Sequence, residues 1–351
     1  MNIYLKIYLD MNFGDDLMLL KFAEYYSNAV IYVHYEPHTY DFYTELLRNF
    51  TNVKLIRCPL REIKTYGKGF FNYIVLLGGS TLQGNSYKGC WYRYLDCVFL
   101  KKQKKYGTKY AILGCNTGPF KNNITKYFVK KELRCAEIIT TRDKNSYEFI
   151  SDSVRKCVIH YFPDILFDIA KNDLCDEERY GLGISVYGPA KNMCVRFLSQ
   201  LCDTYTLETG KKVKLICFDV GNEDDVSAAE IIMELSNCKE NISIIKHEPS
   251  CQKIISAVSG CELIIAIRFH AAIIAASLGI PFLTFSYNNK MRNFMEDIGE
   301  ADKDTPLSTA DALNPKNYLK KLFENPVLPK NEWRTKCDGH FKAFDEMHAN
   351  D

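Results

Sequence analysis

The chain contains no window of about 18 unbroken apolar residues, and its opening residues, MNIYLKIYLD, do not set a basic segment ahead of a long apolar stretch. Neither a membrane-spanning helix nor an exported leader is expected, and the expected location is the cytoplasm. Cysteine is plentiful, at 14 residues, yet no CxxC pair or other metal-ligand or disulfide spacing occurs among them. A metal centre is therefore not expected, and Cys97 in LDCVFL and Cys217 in VKLICF read as small hydrophobes of a reduced protein. There is little excess of either charge, 45 basic against 43 acidic residues, so the broad positive field of a nucleic-acid binder is missing. Neither the spaced glycines of a dinucleotide fingerprint nor the Lys-Ser/Thr of a P-loop is found. Short-period repeats and low-complexity tracts are absent too, which excludes solenoids.

What remains is 351 residues with ordinary globular composition, more than one hydrophobic core usually organises. Short β-branched runs alternate with helix-period segments, the pattern of parallel sheets covered by crossover helices. Strands are predicted at residues 3–9, 29–35, 53–58, 73–77, 110–113 and 137–141. After a charged stretch, KNDLCDEERYG, they resume at 183–186, 213–218, 242–246, 263–267 and 282–285. The predicted fold class is α/β, two doubly wound Rossmann-like domains facing across a cleft, an architecture called GT-B. The predicted domains are residues 1–170 and 180–312, with C-terminal helices over 313–351 packing back toward the first.

In such sheets ligands bind outside the carboxyl ends of strands, so the strand-end corners are the candidate sites. The most informative is IRFHAAIIAASLGIPF, where Arg268, Phe269 and His270 sit between a buried strand and an apolar helix. A helix N-terminus presents free N–H groups and partial positive charge to an anion, and a buried arginine needs a partner. A bound phosphate or carboxylate and an internal salt bridge both satisfy Arg268; His270 reads as a ligand group or as a core histidine bonded to a carbonyl. A second corner, TTRDKNS, places Arg142 at a strand end with Asp143 or Asn145 as helix cap; a solvated capping pair is the alternative there. The corner LDMNFGDDLML offers Asn12 and Asp15 as partners for sugar hydroxyls or as caps, with Gly14 permitting close backbone approach. The loops LLGGSTLQGN and LGCNTGPF contribute Gly79 and Asn116. The cluster Trp91 to Tyr94 reads as sugar-facing rings or as helix core, and KKQKKYGTK, residues 101–109, as a solvated helix end or a contact with an anionic membrane surface.

The motifs NFGDDLM, LLGGS, GCNTGP, TTRDKNS, FPDILF, IRFHAAIIAASLGIPF and SYNNKMRNFMEDIG, in this order, resemble the polysaccharide pyruvyl transferase family across nearly the whole chain. The Arg-X-His corner and the pattern carried by Tyr287, Lys290, Phe294 and Gly299 are the specific part. The resemblance implies a GT-B-like transferase that takes phosphoenolpyruvate as donor and makes a pyruvate ketal on a sugar of a cell-surface polysaccharide. It implies Arg268, Phe269, Arg142 and Lys290 around the donor, His270 and Arg142 in catalysis, and no metal or cofactor. The candidate acceptor contacts are Asn12, Asp15, Gly79 and Asn116; the family's acceptors are often lipid-linked sugars, so peripheral membrane contact is a further expectation. Two other readings stay open: a glycosyltransferase of the same architecture using a nucleotide sugar, and a non-catalytic sugar- or anion-binding protein. The sequence departs from the family pattern at Gly78–Ser80, where many members have a third glycine, and at Cys115.

Overall fold

A computed structural model of the chain describes residues 1–79, 82, 83, 87–120, 122–169, 178–191 and 193–349. Residues 171–177 of the charged stretch read as a domain boundary, and Ser80 of the glycine loop, lie outside them. The chain divides into two compact units. The N-terminal unit holds a seven-stranded parallel sheet in the order β3-β2-β1-β4-β5-β6-β7. Its strands are β1 (Asn2–Lys6), β2 (Val30–His34), β3 (Val53–Ile56), β4 (Tyr73–Leu77), β5 (Lys109–Cys115), β6 (Ile138–Thr141) and β7 (Val158–Tyr161). Between them run α1 (Phe13–Tyr25), α2 (Tyr40–Leu46), α3 (Tyr87–Lys104), α4 (Asn123–Leu133) and α5 (Lys144–Ser153).

The C-terminal unit repeats the design with six parallel strands ordered β10-β9-β8-β11-β12-β13. These are β8 (Leu182–Ser185), β9 (Val213–Cys217), β10 (Ile242–Lys246), β11 (Leu263–Ala266), β12 (Phe282–Ser286) and β13 (Asp304–Pro306). Helices α6 (Val195–Thr209), α7 (Asp225–Leu235), α8 (Cys251–Ser259), α9 (Phe269–Leu278), α10 (Asn289–Asp297) and α11 (Pro315–Glu324) complete it. The last helix, α12 (Gly339–Ala349), belongs to the N-terminal unit. In both sheets the strand order reverses beside the first strand of the unit, β1/β4 and β8/β11, which is the doubly wound arrangement with its ligand-binding switch point.

Central strands such as β4, YIVLL, are buried along their whole length because helices cover both faces. Helix α9 is buried at every residue, so it has no polar face to show; Gly279 stops it in the left-handed conformation that costs a glycine nothing. Strands β7 and β13 were not predicted. Both are edge strands, short and only partly buried, so they lack the continuous apolar run that marked the others.

The units follow the chain less simply than the predicted boundaries. Residues 10–14 leave the N-terminal unit and join the C-terminal one, which otherwise comprises Leu166–Thr335. The segment 313–351 does not go to the N-terminal unit as a block: α11 stays with the C-terminal unit, where it buries Tyr318, Leu319 and Leu322 in the same core as Phe197 and Leu201 of α6. Only residues from Lys336 onward join the first sheet.

On α12, His340 is fully buried, with Nε2 donating to the Pro163 carbonyl at 2.8 Å. A carbonyl only accepts, so Nδ1 is the acceptor and takes the Thr140 hydroxyl at 2.6 Å. Thr140 Oγ1 in turn accepts from the Gly114 N–H. Burial pushes the imidazole down to about 4. The unfolded chain therefore binds this proton first, and the folded state loses stability as pH falls from the ordinary histidine value toward 4, by up to about 1.4 kcal/mol per pH unit. Urea midpoints measured from pH 7 downward should fall steeply for the natural chain and more gently for His340→Gln, whose side chain does not titrate.

Candidate active site

At the switch point of the second sheet, β8 and β11 end side by side. The Ser185 hydroxyl accepts from the backbone N–H groups of Ile267, at 2.8 Å, and Arg268, at 3.0 Å, and so ties the end of β8 to the corner that follows β11. Arg268 caps α9 in extended conformation, and Phe269 and His270 form the helix's first turn. All three are buried.

The Arg268 side chain is held from several sides. Nε donates to Asp225 Oδ2 at 2.9 Å and the two terminal nitrogens reach Asp225 Oδ1 and Glu223. The guanidinium carbon stands 4.7 Å over the Tyr187 ring, which stacks at 3.8 Å on Tyr287. Asp225, with no exposed surface, also accepts from the backbone of Gly188, Phe218 and Asp219. Burial alone would pull the guanidinium down, but the Asp225 carboxylate more than reverses this and holds it above the ordinary arginine value. Of the two readings open for Arg268, the internal salt bridge is present in the structure, and three of its five N–H groups face carboxylates. Glu223, more than a third exposed, is the looser partner.

His270 sits beside Phe269, ring centroids 5.2 Å apart, and against the backbone of Gly14. A Cβ on residue 14 would lie 1.6 Å from His270 Nδ1, so only glycine leaves room for the imidazole. The segment that carries Gly14 is fastened to the C-terminal unit: Phe13 N–H donates to the Phe218 carbonyl, Asn12 Nδ2 donates to Asp219 Oδ2 at 3.0 Å, and Asn222 is bonded to Asp10. Asn12, expected to meet a sugar, spends its amide on Asp219, and its Oδ1 accepts from Gly14 N–H. Lys290, in the first turn of α10, carries its ammonium 5.7 Å from the Phe269 ring centre. The C-terminal unit thus brings together Arg268, Phe269, His270 and Lys290.

The remaining predicted residues lie in the N-terminal unit. Arg142 follows β6 and is buried, with NH1 donating to Asp164 Oδ2 at 2.9 Å and NH2 to Asn116 Oδ1 at 3.0 Å. Asp143 is the cap of α5, accepting from the N–H and hydroxyl of Ser146. The corner is a buried ion pair beside a capped helix and not a solvated capping pair. Asp15 is buried in α1, and Gly79 follows β4 in the left-handed region. Sequence reasoning missed Asp225, Glu223, Tyr187 and Asp164. The signals were there: two arginines destined for burial demand carboxylates, FDVGNEDDV sets four at one strand end, and FPDILF sets one after the next edge strand. No group of three or more His, Cys, Asp or Glu arranged to hold a metal ion occurs among the described residues.

Solved structures of similar fold include the UDP-GlcNAc 2-epimerase of Methanocaldococcus jannaschii, at TM-score 0.63 and 12% identity over 99% of both chains. The Neisseria meningitidis UDP-GlcNAc 2-epimerase bound to UDP-GlcNAc matches at 0.54 and 10%, over 93% of this chain and 100% of that one. The ADP-heptose LPS heptosyltransferase II of E. coli matches at 0.50 and 14%, over 92% and 98%. With two doubly wound Rossmann-like units, the fold is that of the GT-B glycosyltransferases and epimerases. No curated protein matches the sequence. The family model described as polysaccharide pyruvyl transferase matches residues 12–289, which include Gly14, Arg142, Asp225 and the corner Arg268–His270, and the chain belongs to that family, a family of transferases.

The buried pair in the N-terminal unit carries a stability test. Arg142→Ala takes the counter-charge from the buried Asp164 carboxylate and should cost about 3–5 kcal/mol, whereas replacing both partners, Arg142→Met with Asp164→Leu, should recover most of it. Thermal melting of the single and double variants measures the difference.

Proposed function

We propose that the chain transfers the pyruvyl group of phosphoenolpyruvate to hydroxyls of a sugar, forming a pyruvate ketal in the assembly of a cell-surface polysaccharide. The observation that carries this reading is the imidazole of His270, wedged against Gly14 at the mouth of α9 beside Arg268 and Lys290, within a chain of the pyruvyl transferase family.

The donor is an enol phosphate. A proton delivered to its methylene carbon leaves positive charge on the neighbouring carbon, which a sugar hydroxyl attacks; phosphate leaves, and a second hydroxyl closes the ketal. His270 is the proton donor in this scheme, and the anionic charge of the bound donor favours its protonated form. The remaining N–H groups of Arg268, the ammonium of Lys290 and the first turn of α9 provide the anion contacts, a positioning and electrostatic task. Glu223 competes with the donor for Arg268, because one guanidinium already balanced by Asp225 attracts a phosphate weakly while a second carboxylate is bonded to it. Arg142 is a second donor contact and catalytic partner on the strength of its family motif. It would act with its guanidinium fixed by Asp164. The acceptor is a sugar, lipid-linked or free, and Asn116, Asp15, Asn12 and Gly79 are its proposed contacts.

His270→Gln should keep the melting temperature and its rise with phosphoenolpyruvate, yet lose at least the roughly 10²-fold in kcat typical of a general acid. Undiminished turnover removes His270 from the role, and stabilisation by UDP in place of phosphoenolpyruvate would favour a nucleotide-sugar enzyme. Gly14→Ala pushes the imidazole from its seat and should lower kcat with little change in donor KM. Glu223→Gln should lower donor KM several-fold if that carboxylate is the group displaced.

A further inference from the structure

We propose that the outward faces of α3 and α4 form a docking surface for an anionic lipid bilayer, an inference that does not depend on which reaction the chain catalyses. On α3, Trp91, Tyr94 and Val98 recur at the three- and four-residue spacing of one helix face, and all are exposed, Trp91 by 58%. Lys101 and Lys102 continue the same stripe toward the helix end. On α4, Ile124 and Tyr127 repeat the arrangement, exposed by 46% and 52%, with Lys131 one turn on and its ammonium 4.6 Å from the Tyr127 ring centre. The two stripes adjoin, since Tyr94 meets Phe128 edge-on at 6.1 Å and the Cys90 and Thr125 side chains touch between the helices.

The acidic side chains of both helices are turned away from this face. Asp96 and Glu132 are buried, and Lys6 and Arg93 neutralise them from below. A chain of net charge +2 therefore shows here a surface of rings, two branched aliphatics and lysines with no carboxylate of its own helices. At its margin Glu137 is held by Lys104. Amphipathic rings suit the headgroup level of a bilayer, and lysines beside them add electrostatic attraction to anionic lipid. A second copy of the same face would bring like charges together, and Val98 and Ile124 offer nothing to a nucleic-acid base.

The test uses the full chain with Trp333, the other tryptophan and a buried one, replaced by Phe, so that emission reports Trp91 alone. Vesicles of phosphatidylcholine alone and of phosphatidylcholine with phosphatidylglycerol are compared. The expected result is co-sedimentation with the anionic vesicles only, weakening with salt, together with a blue shift of Trp91 emission. Lys101→Glu, Lys102→Glu and Lys131→Glu combined should lower the partition coefficient at least roughly a hundredfold with an unchanged melting temperature. Absence of sedimentation, equal sedimentation of the triple variant, self-association in place of vesicle binding, or binding of RNA but not of vesicles would each overturn the proposal.

Discussion

The C-terminal unit is organised around one carboxylate. Asp225, sealed from solvent, gathers the Arg268 fork and three backbone N–H groups from Gly188, Phe218 and Asp219. These donors come from the turn after β8, the turn after β9 and the corner after β11, so a single side chain fixes the carboxyl ends of three adjacent strands. A carboxylate taken from water at a cost of several kcal/mol needs nearly every lone pair used; here they are, and burial still outweighs them enough to raise Asp225 to about 6. The order of the corner, and with it the placement of Phe269 and His270, rests on that satisfaction. Arg268 is for this reason a structural element of the corner, bonded to Asp225 through two of its nitrogens.

Much of the fold was legible because parallel strands covered on both faces must be continuously apolar. VKLIC, LIIA and YIVLL announce themselves, whereas VIHY and DTP, at sheet edges with half their surface wet, do not. The corners of the candidate site were legible too, since a charged residue between an apolar strand and an apolar helix has few innocent explanations. Their partners were not. Which carboxylate meets Arg142 depends on β7 lying beside β6, and which meets Arg268 depends on β9 lying beside β8; strand order is a property of the whole sheet and leaves no mark at the residue itself. Asn12 shows the same limit: its amide donates to Asp219 across more than two hundred residues of sequence, a partner that nothing near residue 12 announces.

Burial also separates the two surfaces of the N-terminal unit. Beneath α3 and α4, Glu132 is held by Arg93, Lys6 and the Tyr110 hydroxyl, a network that satisfies its charge inside the protein. Above them the aromatic residues of the same helices face outward. The sequence cluster Trp91 to Tyr94 was compatible with a helix core, and only the direction in which α3 is rotated on its sheet decides that Cys90 and Cys97 are inside and Trp91 and Tyr94 outside.

The passage of residues 10–14 into the C-terminal unit has a consequence for modular engineering. A fragment cut at the sheet boundary, beginning after Ile165, would carry His270 but not the glycine against which its ring rests, nor the Asn12 that engages Asp219. Exchanging the N-terminal half for that of a relative would therefore import a foreign pentapeptide into the heart of the retained half. A chimera that preserves these five residues in place needs its crossovers on either side of residues 10–14, the second of them within the first turn of α1.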